Sequence, residues 1–256
     1  MNNNRFFRFF ICVFCLFVIV SCSKFTTIVL RSYVAHFASF NMFYLDITDQ
    51  GNIVMYWHNA REVVSYHSSG EAKKRYDELC QKFDDLAFNQ EIRYVGGFSC
   101  HRYPSNEILS INVVSNTDFN SEYPAGSSLA GLVRFLSVSP IRFIQSGYRE
   151  TFNWNNVCEE IRKLLLEESR IFLCNPENHF PIKGRLADLT QEDFLLLGTG
   201  EDSGWRPDHA YAFTPGYFFG YLTFEQQPEI SGVHEITVTI RLGDGRVLSR
   251  TIEKEF

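Results

Sequence analysis

Alternation of apolar and polar positions is clearest near the end of the chain, where Ile236, Val238 and Ile240 interleave with Glu235, Thr237 and Thr239. A two-residue period sends the two sets to opposite faces, so this segment reads as a half-buried strand. Gly243-Asp244-Gly245 turns the chain and Arg246 to Ile252 returns, led by Val247 and Leu248, giving an antiparallel hairpin. An earlier hairpin is predicted over residues 40 to 57. The aromatic run Phe40 to Asp46 and the strand Ile53 to Trp57 flank the turn cluster Asp49-Gln50-Gly51-Asn52. Ile92 to Cys100 and Ile108 to Ser115 read as two further strands around a polar loop. Ile141 to Ile144 and Arg170 to Cys174 read as short ones, and Tyr211 to Phe224 as an aromatic strand bent near Pro215-Gly216.

Other stretches carry the helical period. Ala72, Tyr76, Leu79, Cys80, Phe83, Leu86 and Ala87 recur at three and four residues, behind Ser68 and Glu71 at capping-box spacing. Asn156 and Glu159 repeat that spacing ahead of Val157, Ile161, Leu164 and Leu165, which predicts a second amphipathic helix. Gly126 and Ser127 are expected to open a short helix through Leu129, Leu132, Val133 and Leu136, with Ser127 as N-cap. A compact element over Leu186 to Leu197 carries Thr190 and Asp193 as a local cap. The fold class that follows is α+β: a mainly antiparallel β-sheet with a sandwich-like core and two or three covering helices.

Composition sharpens this picture. Twenty-five Phe and twelve Tyr against three Met favour strands, because aromatic rings fit a pleated, half-buried surface. At 45% hydrophobic and 21% charged, the chain falls among globular proteins rather than disordered ones. Its net charge of −6, with no basic stripe, argues against nucleic acid as a partner.

The first residues follow another pattern. Arg5 and Arg8 precede an uncharged run from Phe9 to Val20, and the run closes on Ile19-Val20-Ser21-Cys22. A positive start, an apolar stretch too short to span a bilayer and a small residue at the cut describe an export signal. The Ile-Val-Ser-Cys end resembles a bacterial lipobox. That resemblance implies cleavage after Ser21 and acylation of Cys22, so residues 1–21 are expected to be a lipoprotein signal peptide and 22–256 a single globular domain. The membrane then becomes a partner through the lipid anchor. After Cys22 there is no acidic cluster and Ser23 replaces the Asp of retained lipoproteins, which points to the periplasmic face of the outer membrane.

Seven cysteines sort by position. Cys12 and Cys15 lie in the apolar signal run and Cys22 is the lipid site. Cys80, Cys100, Cys158 and Cys174 are candidates for one or two disulfides in an oxidising compartment, with buried free thiols as the alternative. None has metal-ligand spacing, and no metal or cofactor is expected. Cys100-His101 adjoins a thiol and an imidazole, but strand neighbours point to opposite faces. Glu201, Asp202, Asp208 and His209 offer hard ligands without calcium-loop spacing. The Gly-Ser-Ser turn at residues 126–128 lacks the spacing and the lysine of a phosphate loop, and no Gly-x-Ser-x-Gly elbow occurs. Asp84-Asp85, Glu159-Glu160 and Glu167-Glu168 read as solvated helix surface. The aromatics Trp205, Tyr211, Phe213, Tyr217, Phe218, Phe219 and Tyr221 read as β-core before ligand cleft.

Ser115-Asn116-Thr117-Asp118-Phe119 with Tyr123-Pro124-Ala125-Gly126-Ser127-Ser128-Leu129, the Gly-Asp-Gly hairpin from Glu235 to Leu248 and the lipobox together resemble a family of Bacteroidota lipoproteins built on a domain of unknown function. The resemblance implies a lipid-anchored envelope protein and carries no catalytic residues. The expected role is non-catalytic binding or scaffolding of an envelope protein or ligand. An envelope hydrolase, or another enzyme whose site is assembled from distant residues, is the alternative.

Overall fold

A computed structural model of the chain describes residues 26–94, 102–162, 175–198 and 217–256. Its strands, in chain order, are β1 (Thr26–Leu30), β2 (His36–Ile47), β3 (Ile53–Ser65), β4 (Gln90–Tyr94), β5 (Arg102–Pro104) and β6 (Ile108–Ser115). They continue with β7 (Val133–Ser139), β8 (Phe180–Arg185), β9 (Tyr217–Phe224), β10 (Val233–Leu242) and β11 (Val247–Glu255). Three α-helices are described: α1 (Gly70–Lys82), α2 (Ile141–Gln145) and α3 (Glu159–Arg162). Six strands form one sheet in the order β5-β2-β3-β9-β7-β8, three form a second in the order β11-β10-β6, and β1 pairs with β4. Every pairing is antiparallel except β2 with β5. This is the α+β, mainly antiparallel, sandwich-like architecture that the alternation implies.

The three-stranded sheet closes one face of the six-stranded one. Ile236, Val238 and Ile240 of β10 and Ile111 and Val113 of β6 meet Phe40, Phe43, Met55, Trp57, Phe135 and Phe219 from the larger sheet. The Trp57 ring stacks between Phe40 at 5.7 Å and Phe219 at 4.6 Å. Burying a side chain of this kind contributes roughly 1.5–3 kcal/mol relative to leaving it in water, so this layer dominates the stability. Gly220 is required at its site in β9, because a Cβ there would fall 2.4 Å from the Phe135 ring. The opposite face of the large sheet is covered by α1 and α2. There Phe37 and Val64 pack with Tyr76, Cys80, Phe83, Phe143 and Ile144.

Several elements differ from the sequence reading for physical reasons. Val133 to Leu136 lies in strand β7, and Ser127 sits in a turn whose amide donates to the Pro124 carbonyl. The strand is buried on both faces, with Val133 and Phe135 facing the sandwich and Leu136 and Val138 the helical side. Leu129, Leu132, Val133 and Leu136 fall at helical spacing, and burial on both faces leaves no clear alternation to oppose it, which produced the helical expectation. Ile141 to Ile144, expected as a short strand, lies in the helix Ile141–Gln145, where Ile144 N–H donates to the Pro140 carbonyl and Phe143 and Ile144 are buried. Ser69, not Ser68, occupies the N-cap of α1, while the Ser68 hydroxyl accepts from Ser65 N–H at 2.9 Å. Helix α1 stops at Lys82, short of Leu86 and Ala87, because Asp84 adopts a left-handed conformation with φ 57°. At Thr190 the expected cap is present: the Asp193 carboxylate accepts from its N–H at 2.8 Å. Asn153 rather than Asn156 caps the turn before α3, and the Cys158 carbonyl takes the first helical bond from Arg162 N–H.

Candidate functional site

The left-handed turn after α1 drives Asp85 into the interior, where it is fully buried. One carboxylate oxygen accepts from Tyr33 N–H at 2.6 Å and from the Tyr148 hydroxyl at 2.9 Å; the other accepts from Val34 N–H at 2.8 Å. The Tyr76 hydroxyl donates to the Val34 carbonyl at 2.7 Å, so both backbone polar groups of Val34 are held. Burial raises the Asp85 carboxyl above its ordinary range, and the three donors oppose that shift. The arrangement ties the segment between β1 and β2 to the end of α1 and to Tyr148. It does so from inside, with no face open to a substrate.

Two buried histidines also serve structure. His179 Nδ1 lies 3.2 Å from the Asn175 carbonyl, which can only accept, so this nitrogen carries the proton and Nε2 accepts from the Tyr103 hydroxyl at 2.7 Å. His234 Nε2 faces the Ile230 carbonyl at 3.5 Å, leaving Nδ1 to accept from Ser115 at 2.9 Å and Thr117 at 2.8 Å. That ring also packs edge-on against Phe119 and Phe256 and joins the end of β6 to the start of β10.

The outward face and edge of β2 are different. Strand β5 pairs with β2 only at His36, Phe37 and Ala38. At Phe40 the Asn106 side chain takes the place of a neighbouring strand, accepting from Phe40 N–H at 2.8 Å and donating to its carbonyl at 2.9 Å. From Met42 onward no described strand is hydrogen-bonded to this side of β2, although β11 packs close to β2 and the Arg246 guanidinium also donates to the Phe40 carbonyl at 3.1 Å. Backbone groups two residues apart point the same way, so Met42 and Tyr44 direct theirs outward along with Phe40. Beside this edge, Met42 pairs across the ladder with His58 and Tyr44 with Tyr56, which puts all four side chains on one face. Tyr44 is 45% exposed and its ring lies 4.6 Å from that of His58. An open edge flanked by aromatic rings can take an added strand or a flat apolar ligand.

Of the residues singled out in the sequence, Cys22, Cys100, Cys174, His101, Glu201, Asp202, Asp208, His209, Trp205, Tyr211 and Phe213 lie outside the described residues. Cys80 is a buried free thiol whose pKa is raised by burial, and Cys158 is an exposed one. Tyr217, Phe218, Phe219 and Tyr221 are buried in the β-core. Asp85, read as solvated surface, is corrected to the interior. The pattern of single residues offered no warning, because the turn at Asp84 sets its direction. The open β2 edge was equally hidden, since it depends on which strand lies beside which. Among the described residues, no group of three or more His, Cys, Asp or Glu side chains could hold a metal ion. No family model, no curated protein and no solved structure matches the chain.

Proposed function

We propose that this is a lipid-anchored lipoprotein of the outer membrane, akin to the Bacteroidota lipoproteins it resembles. On this reading it faces the periplasm and binds or scaffolds another envelope component without catalysis. The anchor rests on the Ile19-to-Cys22 pattern. The binding role rests on one observation: the edge of β2 from Met42 onward has no hydrogen-bonded strand, with Tyr44 exposed and His58 half-buried beside it. Strand addition along such an edge gives affinity through main-chain bonds, and the rings give selectivity.

Recovery of the partner from detergent-solubilised membranes tests this. The double variant Tyr44→Ala/His58→Ala should lower the recovered partner by about tenfold, the loss expected when a central aromatic anchor is removed. Tyr44→Ala alone should lower recovery in the same direction and keep its melting temperature within about 2 °C, since exposed substitutions cost about 0.5 kcal/mol or less. Unchanged recovery would remove this edge from the account.

A second reading, an envelope hydrolase, draws on one contact. The exposed Thr117 hydroxyl lies 2.8 Å from the lone-pair nitrogen of His234, within reach of a general base. Ser115 competes for the same lone pair at 2.9 Å, which places this reading second. Covalent labelling of Thr117 by a fluorophosphonate probe would promote it.

A further inference from the structure

At the other end of β2, away from Tyr44, three nitrogen-bearing side chains converge without a carboxylate. His36 stands opposite Arg102 in the parallel pairing of β2 with β5, so their side chains leave neighbouring strands on the same face. His67 follows β3 in a turn held beside them by Tyr66, whose N–H donates to the Ala35 carbonyl. The Tyr66 ring lies 6.0 Å from the His36 ring and 3.7 Å from the His67 ring.

We infer that His36, His67 and Arg102 form a binding site for a tetrahedral oxyanion of the phosphate or sulfate class. Two observations carry this. The Arg102 guanidinium is oriented by donating from Nη1 to the Tyr217 hydroxyl and by lying 5.7 Å over that ring, yet its Nε is dry and meets no acceptor. The His36 Nδ1 atom is likewise buried without a partner. A buried, unmet donor on a charged group is destabilising, and such groups persist where something outside the chain completes them.

Stacking on Tyr217 alone does not account for the arrangement, because it leaves Nε unanswered. Among the described residues no carboxylate pairs with any of the three. The charged groups acting on His36 are Arg102 and His67, both of the same sign; with burial as the largest cause, they lower its pKa to about 4. In a chain of net charge −6, the Arg102 guanidinium stands without a counter-charge among the described residues, and protonation of His36 beside it adds a second positive group. A guanidinium offers Nε and a terminal nitrogen as a fork matched to two oxygens of a tetrahedral anion, and a protonated imidazole adds a third donor. His67 is exposed, so the ligand would enter past it.

Sulfate is the cleaner probe, because its charge stays constant across the range in which histidines titrate. Titration of the purified protein, followed by the imidazole signals of His36, should show its pKa rising from about 4 by about one unit or more at saturating sulfate. Chloride at equal ionic strength should not reproduce the shift. Calorimetric affinity should be greater at about pH 4 than at about pH 7, by up to about tenfold for each unit of that pKa shift, because binding takes up a proton. Arg102→Gln should weaken sulfate about tenfold or more, and His67→Ala, at an exposed position where folding is not at risk, several-fold. A His36 titration indifferent to sulfate, or sulfate binding unchanged in both variants, would overturn the site. Inorganic phosphate and glycerol phosphate identify the source of the anion. Tighter binding of the ester assigns a phosphate carried on a larger molecule, equal binding assigns the free ion, and binding of neither overturns the proposal. The outcome is independent of the Tyr44 edge.

Discussion

Asp85→Ala is expected to lower the stability of the protein by about 3–5 kcal/mol and its melting temperature by roughly 10 °C. The substitution leaves the amides of Tyr33 and Val34 and the Tyr148 hydroxyl without their acceptor in a buried setting. Each such group costs about 1–3 kcal/mol, against about 5–15 kcal/mol for a whole domain. Asp85→Asn should cost less, since one oxygen remains, but its amide group then faces a donor. The pH dependence has a definite sign. A carboxyl whose folded pKa is raised binds its proton more tightly in the folded chain than in the unfolded one. Its contribution is therefore fully present below the unfolded pKa and is lost as pH rises through the folded pKa. No contradiction with the alanine result arises, because either protonation state keeps oxygens that accept from the two amides. Denaturant melts of wild type and Asp85→Asn over a pH series check this: the asparagine variant should lack that fall. A melting temperature unchanged in Asp85→Ala would show that the clamp is not structural.

Removing residues 234–256 should yield an insoluble protein. Strand β10 is the middle of the three-stranded sheet, and Ile236, Val238 and Ile240 are fully buried against the larger sheet. Deletion uncovers that core and leaves β6 as an unpaired strand, a template for aggregation. Point changes grade the effect. Ile240→Ala should cost about 2–5 kcal/mol and Val238→Ala near or slightly below the low end of that range. Thr239→Ala, which loses only a hydroxyl contact of 3.2 Å to Ser249, should cost about 0.5 kcal/mol or less. A soluble truncation with an unchanged melting temperature would make the hairpin peripheral.

These two regions also mark what a sequence discloses. The terminal hairpin was legible because each strand has one wet and one dry face, so alternation records it. Strand β6 was legible from Ile108 to Ser115 for the same reason. Strand β7 was not, because burial on both faces erases the alternation and leaves a run that fits a helix equally well. Strand β5 spans three residues and pairs in parallel with a distant strand, too little pattern to detect. The burial of Asp85, the Tyr103–His179 contact and the juxtaposition of His36 with Arg102 depend on residues more than fifty positions apart. Local spacing holds no record of them. The proposed anchor is the reverse case, a linear pattern read without any fold.

That anchor is the most direct point at which to test the proposed role. Acyl chains add about 0.8 kcal/mol per buried methylene, so a triacylated Cys22 should hold the protein on membranes almost permanently. Cells expressing the full chain are grown with a clickable fatty-acid analogue, and the protein is isolated and assayed for label. Wild type should carry the label, and Cys22→Ser should carry none and retain its uncut signal. Label on Cys22→Ser equal to that on wild type, or a wild-type chain without any, would contradict the lipoprotein account.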